Sequence, residues 1–166
     1  ACNYFKKVEK QMLREFPGKV KFVYFNYPLD QECNKYMTRK FHIGACKMAK
    51  AAIATYKLKL FKGFTNRHLR TFRQKFRKLR HQYADVFLYK YMDESGLTVQ
   101  QIKKMKKIMN SPATLKIIEK EIEIAHKLRL RSTPTLFINN RIVKGAMRPN
   151  ILRKIIKLEI EGKGNY

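Results

Sequence analysis

A chain of 166 residues, 45% of them hydrophobic, is long enough for one domain with a real core and is not a disordered chain. No apolar run approaches the roughly 20 residues of a membrane span. Ala1-Cys2-Asn3-Tyr4-Phe5 leads straight into charged, periodic sequence, so the chain is expected either not to be secreted or to have lost its leader. Lys and Arg number 38 against 12 Asp and Glu, and the net charge of +26 predicts attraction to polyanions, unless it reflects only a Lys-rich proteome.

Phe5, Val8 and Met12 recur at helical spacing, with Leu13 and Phe16 extending the stripe, and predict a helix over 3–16. Pro17-Gly18 stops it. From Lys19 to Tyr27 both alternating faces carry Val, Phe or Tyr, the pattern of a strand covered on two sides, and Pro28 ends the run. Residues 29–43 read as loop and short helix. A helix is predicted from Gly44 to Leu60, with Ala45, Ala49, Ala52 and Ile53 as a small-residue face for close packing. Gly63 breaks the pattern.

Leu69, Phe72, Phe76, Leu79, Tyr83 and Val86 then form the apolar seam of one long helix over 65–91. Arg67, Arg70, Arg73, Arg77 and Arg80 occupy another face, and no acid lies between Phe61 and Arg80. That face is read either as a surface for polyanions or an anionic membrane, or as an ordinary solvated face. Ser95-Gly96 makes a turn. Thr98 caps a short helix with Val99, Ile102, Met105 and Met109 inside. Ser111-Pro112 opens the next helix, which Leu115, Ile118, Ile122 and Ala125 carry to about Leu128. A last helix runs from Pro149 through Leu152, Ile155 and Ile156, and Gly162 and Gly164 end it. His68, His81 and His126 lie in basic helical context and read as surface residues.

Between the last two helices stands Arg131-Ser132-Thr133-Pro134-Thr135-Leu136-Phe137-Ile138-Asn139-Asn140-Arg141-Ile142-Val143-Lys144-Gly145. A proline lacks the ladder N–H, so it suits the start of a strand. Asn tolerates positive φ, so Asn139-Asn140 suits a two-residue hairpin turn. By base rate alone the Thr133–Pro134 bond is trans.

The Ser-Thr-Pro-Thr-Leu-Phe-Ile-Asn-Asn-Arg run, between a helix and a final helix, resembles the closing segment of DsbA-like thioredoxin-fold proteins. Phe16 to Tyr24 with Tyr27-Pro28-Leu29, Cys33-Asn34, and His42-Ile43-Gly44-Ala45-Cys46 are similar to other parts of that family. The basic helix at 65–91 matches it least. The resemblance implies an α/β thioredoxin-like fold, DsbA-like: a single domain over 1–166 with a helical insertion at approximately 44–128. The family's further strand before the first helix is absent from this sequence. The resemblance also implies that the Thr133–Pro134 bond is cis, with Thr133 and Pro134 forming an edge where an extended substrate peptide docks.

In the resembled family a Cys-x-x-Cys pair opens the first helix. Partial positive charge there favours the nucleophilic thiolate, and the second thiol resolves the mixed disulfide. The three cysteines here are Cys2, Cys33 and Cys46, with no Cys-x-x-Cys. The spacing from Cys2 to Pro17-Gly18 best fits Cys2 as the second cysteine, the first falling before Ala1. The other register makes Cys2 the first cysteine, with Phe5 in place of the second. Cys33 and Cys46 are read either as a structural disulfide, stabilising by about 3 kcal/mol in the loop-entropy model, or as two buried thiols. A zinc site at Cys33, His42 and Cys46 lacks a fourth ligand at characteristic spacing.

The expected function is thiol–disulfide exchange with cysteine-containing polypeptides outside the cytoplasm, in the periplasm or cell envelope. A redox partner protein would reset the thiols; no cofactor and no metal is implied. The alternative is a redox-silent thioredoxin-like scaffold whose basic helix binds polyanions, a membrane surface or a larger assembly.

Overall fold

The protein is described from a computed structural model that covers residues 1–39, 41–75, 82–145 and 147–162, with side chains 72–75 excluded. In chain order the elements are α1 (Cys2–Glu15), α2 (Ala45–Lys57), α3 (Phe61–Lys75), α4 (Tyr83–Glu94), α5 (Val99–Met109), α6 (Pro112–Lys127), β1 (Thr135–Ile138), β2 (Arg141–Lys144) and α7 (Pro149–Ile160). They form two compact units, Ala1–Tyr24 with Leu130–Tyr166, and Phe25–Arg129.

The first unit is built on the stripe predicted for α1. Val8 and Met12 are buried with Met147, Leu152 and Ile156, and Phe5, Phe16, Val20, Phe22, Ile138, Val143 and Ile155 close around them. Helix, hairpin and last helix therefore share one apolar core. Arg153 grips Glu15 through two hydrogen bonds, Nε to Oε2 at 2.6 Å and Nη2 to Oε1 at 2.9 Å, tying α7 to the end of α1. Glu159 on α7 accepts from Asn139 Nδ2 at 2.6 Å and Arg141 Nε at 2.9 Å, fixing the hairpin turn. The hairpin is antiparallel, pairing Thr135 with Lys144 and Ile138 with Arg141, with Asn139 at φ 50 in the turn.

The strand expected over 19–27 does not form. The two-stranded β1–β2 sheet is the only sheet among the described residues, and residues 20–30 are outside it. Val20 and Phe22 turn to the core, but Val23 and Phe25 are 66% and 65% exposed. Apolar residues on both faces favour a buried strand only where a neighbouring strand supplies a ladder. No such ladder holds this segment among the described residues.

In the second unit α2 is central. Its Met48, Ala51 and Ala54 meet Phe64, Tyr83, Phe87, Tyr91 and Met105, while Ala49 and Ile53 meet Ile118 and Ile122 of α6. Small side chains allow α2 to be approached from two sides. Gly44, at φ +83, needs to be glycine for a second reason: a Cβ there would lie 2.8 Å from the Ala84 Cβ.

The single long helix predicted over 65–91 is also corrected. Helix α3 begins at Phe61 and runs through Gly63, and α4 starts afresh at Tyr83 after Gln82 at φ −109, ψ 0. Phe76, Arg77, Leu79, Arg80 and His81 lie outside the described residues, as do the side chains of Phe72 and Arg73. Phe64 contacts Phe87 and Tyr91, while His68 contacts Tyr83 and Phe87, so α3 and α4 run antiparallel. The new start shifts the helical phase, leaving Val86 40% exposed and burying Phe87, Leu88 and Tyr91.

Turns replace the short helix expected within 29–43, because buried Asn34 engages the local backbone itself. Its Nδ2 donates to the Pro28 carbonyl at 2.8 Å and its Oδ1 accepts from Tyr36 N at 3.1 Å. Thr98 and Gln101 form a capping box on α5, and Ser111 caps α6 ahead of Pro112. Val99, expected inside, is 70% exposed, because the first residue of α5 faces away from buried Met105 and Met109.

Candidate redox site

Cys2 is the first residue of α1 and an exposed free thiol. The Ala1 carbonyl accepts from Phe5 N at 2.9 Å, no side chain caps the helix, and no acid lies in its first turn. The amides of that turn have no intrahelical acceptor, which leaves partial positive charge around the thiol. Val8 and Met12, at 2% and 0% exposure, anchor the helix below it.

Glu9 lies on the same helix and is 4% exposed. Lys6 Nζ donates to its two oxygens at 2.8 and 3.0 Å and to Tyr24 Oη at 2.6 Å. The same ammonium sits 4.8 Å from the centroid of the Tyr24 ring. Burial, and then the Glu9 carboxylate, push the Tyr24 phenol above its ordinary value. This buried acid was missed in the sequence. The available signal was an acid flanked by Val8 and Met12 on the core stripe, three residues after a lysine.

In the same unit the Thr133–Pro134 peptide bond is cis, not trans as the base rate for X-Pro bonds predicts. Thr133 is exposed and Pro134 half-buried. Gly145 N donates to the Pro134 carbonyl at 2.8 Å, and Thr135 Oγ1 donates to the Ser132 carbonyl at 2.8 Å. The loop is thus held at the open end of the hairpin. Gly145 sits there at φ +83, in the left-handed region that favours glycine.

Cys33 and Cys46 form a disulfide within the second unit, with Cα atoms 5.9 Å apart. It removes both thiolates from any zinc site with His42. Cys46, on the first turn of α2, is fully buried, and Cys33 is half-buried. Asp30 Oδ2 accepts from Cys46 N at 3.3 Å, and the Asp30 carbonyl oxygen lies 3.5 Å from the Cys46 sulfur. Burial depresses the His42 imidazole, with the Asp30 carboxylate opposing. The loop carrying Cys33 is pinned to α6. Asn26 donates its N and Nδ2 to Glu121 at 2.8 Å each, and Tyr36 Oη donates to Glu123 at 2.7 Å. The Tyr36 ring stacks on His126 at 3.6 Å.

A family model described as thioredoxin matches residues 1–158. The chain belongs to the thioredoxin family. Its α/β architecture, with a small sheet and a helical insertion, is that of a thioredoxin-like fold. No curated protein and no solved structure matches the chain. The thioredoxin-family assignment and the cysteine pair together support a role of the thiol–disulfide oxidoreductase kind.

Within the basic sequence of this thioredoxin-family chain, Arg67 departs from the outward-facing position expected of it. Arg67 is turned inward: Nη1 donates to Ser95 Oγ at 3.2 Å, lies 3.5 Å from Glu94, and its guanidinium sits over Tyr91. Arg67 also lines an open groove of about 370 Å³ with Lys59, Leu60, Gly63, Tyr91 and Glu94. Arg70 is exposed, whereas the side chain of Arg73, and Arg77 and Arg80 altogether, lie outside the described residues. His68, expected at the surface, is enclosed by Phe64, Tyr83 and Phe87, and burial lowers its pKa to about 4. His126 is exposed.

Proposed function

We propose that this thioredoxin-family chain is a DsbA-like thiol–disulfide oxidoreductase acting on cysteine-containing polypeptides in the periplasm or cell envelope. The observation that carries the reading is Cys2, a free exposed thiol opening α1 in a chain matched to the family over residues 1–158. Cys2 acts as the second thiol of a Cys-x-x-Cys pair. With a substrate joined to the first thiol as a mixed disulfide, the Cys2 thiolate attacks that first sulfur. The intramolecular disulfide forms and the substrate leaves as a thiolate, which takes up a proton. A redox partner protein then resets the pair. The Thr133–Pro134 loop receives the extended substrate by backbone pairing, which fits its exposed threonine and its place at the end of the hairpin.

Reading the gene upstream of Ala1 for a Cys-x-x sequence, and assaying insulin reduction by the full-length protein against its Cys2→Ser variant, tests this. Turnover that disappears in Cys2→Ser supports the reading; no turnover by the full-length protein overturns it. The second reading, a redox-silent thioredoxin-like scaffold that binds polyanions, a membrane surface or a larger assembly through the arginine-rich sequence from Arg67 to Arg80, draws on the +26 charge. It requires salt-sensitive binding that weakens when Arg70, Arg73 and Arg77 become Glu.

A further inference from the structure

We infer that the lysine face of α5 is a docking surface for an anionic phospholipid bilayer. Lys103, Lys104, Lys106 and Lys107 are all exposed, and α5 contains no acid. No ion pair among the described residues involves any of them. At about 100° per residue, the four lysines spread over about 160° of the helix circumference. Lys103 and Lys107 lie near the middle of that arc and Lys104 and Lys106 on its two flanks. Long lysine stems bend toward a plane, so a flat anionic surface laid against α5 meets all four ammonium groups.

Two observations favour lipid over nucleic acid. The charged groups on the face are all lysines, compact point charges that suit dispersed headgroups, with no arginine fork for bidentate phosphate contact and no aromatic ring for a base. Val99, 70% exposed, projects within the lysine arc, where an apolar side chain has a use at a headgroup boundary and none against a phosphate backbone. The opposite side of α5 is fixed in the core by Met105 and Met109, at 0% and 9% exposure. The helix therefore adsorbs from a rigid platform and does not insert.

The test is flotation of the protein with phosphatidylcholine vesicles, with and without about 30% phosphatidylglycerol, at low and high salt. The protein is compared with a variant carrying Lys→Gln at 103, 104, 106 and 107. A charge-matched control carries Lys→Gln at 116, 120, 127 and 154, all exposed on α6 and α7. Glutamine keeps the helix propensity, and circular dichroism checks the fold. Each lysine that reaches the surface accounts for about a fivefold change, so the α5 variant, which loses four, is expected to lose affinity by roughly several hundredfold. The control is expected to keep most of its binding. Equal loss in both variants makes the attraction one of net charge and overturns the assignment, as does full retention by the α5 variant. Tighter, α5-dependent binding to a duplex oligonucleotide than to the vesicles assigns the face to nucleic acid instead, and also overturns it.

Discussion

Replacing Cys33 and Cys46 together with Ala opens the loop that the disulfide closes. The two cysteines are 13 positions apart, and a closed loop of that size corresponds to about 3 kcal/mol of lost unfolded-state entropy. The native loop keeps its other restraints: Asn34 on the Pro28 carbonyl, Asn26 on Glu121, and Tyr36 on Glu123. The variant should therefore fold to the same structure and differ mainly in its unfolded ensemble. With a urea slope of about 2 kcal/mol per molar, the midpoint should fall by about 1.5 M, followed by circular dichroism. The slope itself should rise, because the unlinked chain expands further. Wild type in excess dithiothreitol should match the double variant. A midpoint shift under about 0.3 M, with the native spectrum kept, refutes the entropic argument.

Three further outcomes are expected. Glu9→Ala leaves the largely buried Lys6 ammonium without its carboxylate and should destabilise by about 3 kcal/mol or more, whereas Lys6→Met with Glu9→Leu should cost clearly less in the same denaturation assay. Arg153 holds the Glu15 carboxyl at about 2, below its ordinary 4.5. The unfolded chain then binds the extra proton between those values, so this contribution is present above pH 4.5 and lost as pH falls toward 2. Thermal midpoints across that window should flatten in Arg153→Gln; an unchanged slope removes the pair from the explanation. His68 should titrate near 4 by NMR, because burial disfavours its charged form. The unfolded chain takes up that proton from 6.5 downward, so each pH unit between 6.5 and 4 costs up to about 1.4 kcal/mol of stability. An imidazole titrating near 6.5 in the folded protein contradicts the enclosed position.

The candidate site was partly legible. Cys2 at a helix start followed from the stripe of Phe5, Val8 and Met12, and the Pro134 loop with its hairpin followed from turn chemistry at Asn139-Asn140. The Glu9–Lys6–Tyr24 cluster was not, because Tyr24 comes from a segment whose path is set by core packing. The same holds for Arg67. Its basic neighbours suggested an outward face, but Glu94, Ser95 and Tyr91 are brought to it by the return of α4 along α3.

Sequence by itself determined the features that rest on near neighbours: the helical stripes, the Thr98 and Ser111 caps, the hairpin turn and the glycine and proline stops. Each depends on groups within a few residues, so its free energy is written locally. Tertiary structure decided whether Lys19–Tyr27 gains a ladder, where the long apolar seam divides into α3 and α4, and which charged groups are buried. It also decided between a bond and two thiols at Cys33 and Cys46. Those outcomes depend on which distant surface arrives to supply a ladder, a ring or a counter-charge, and local spacing carries no record of that.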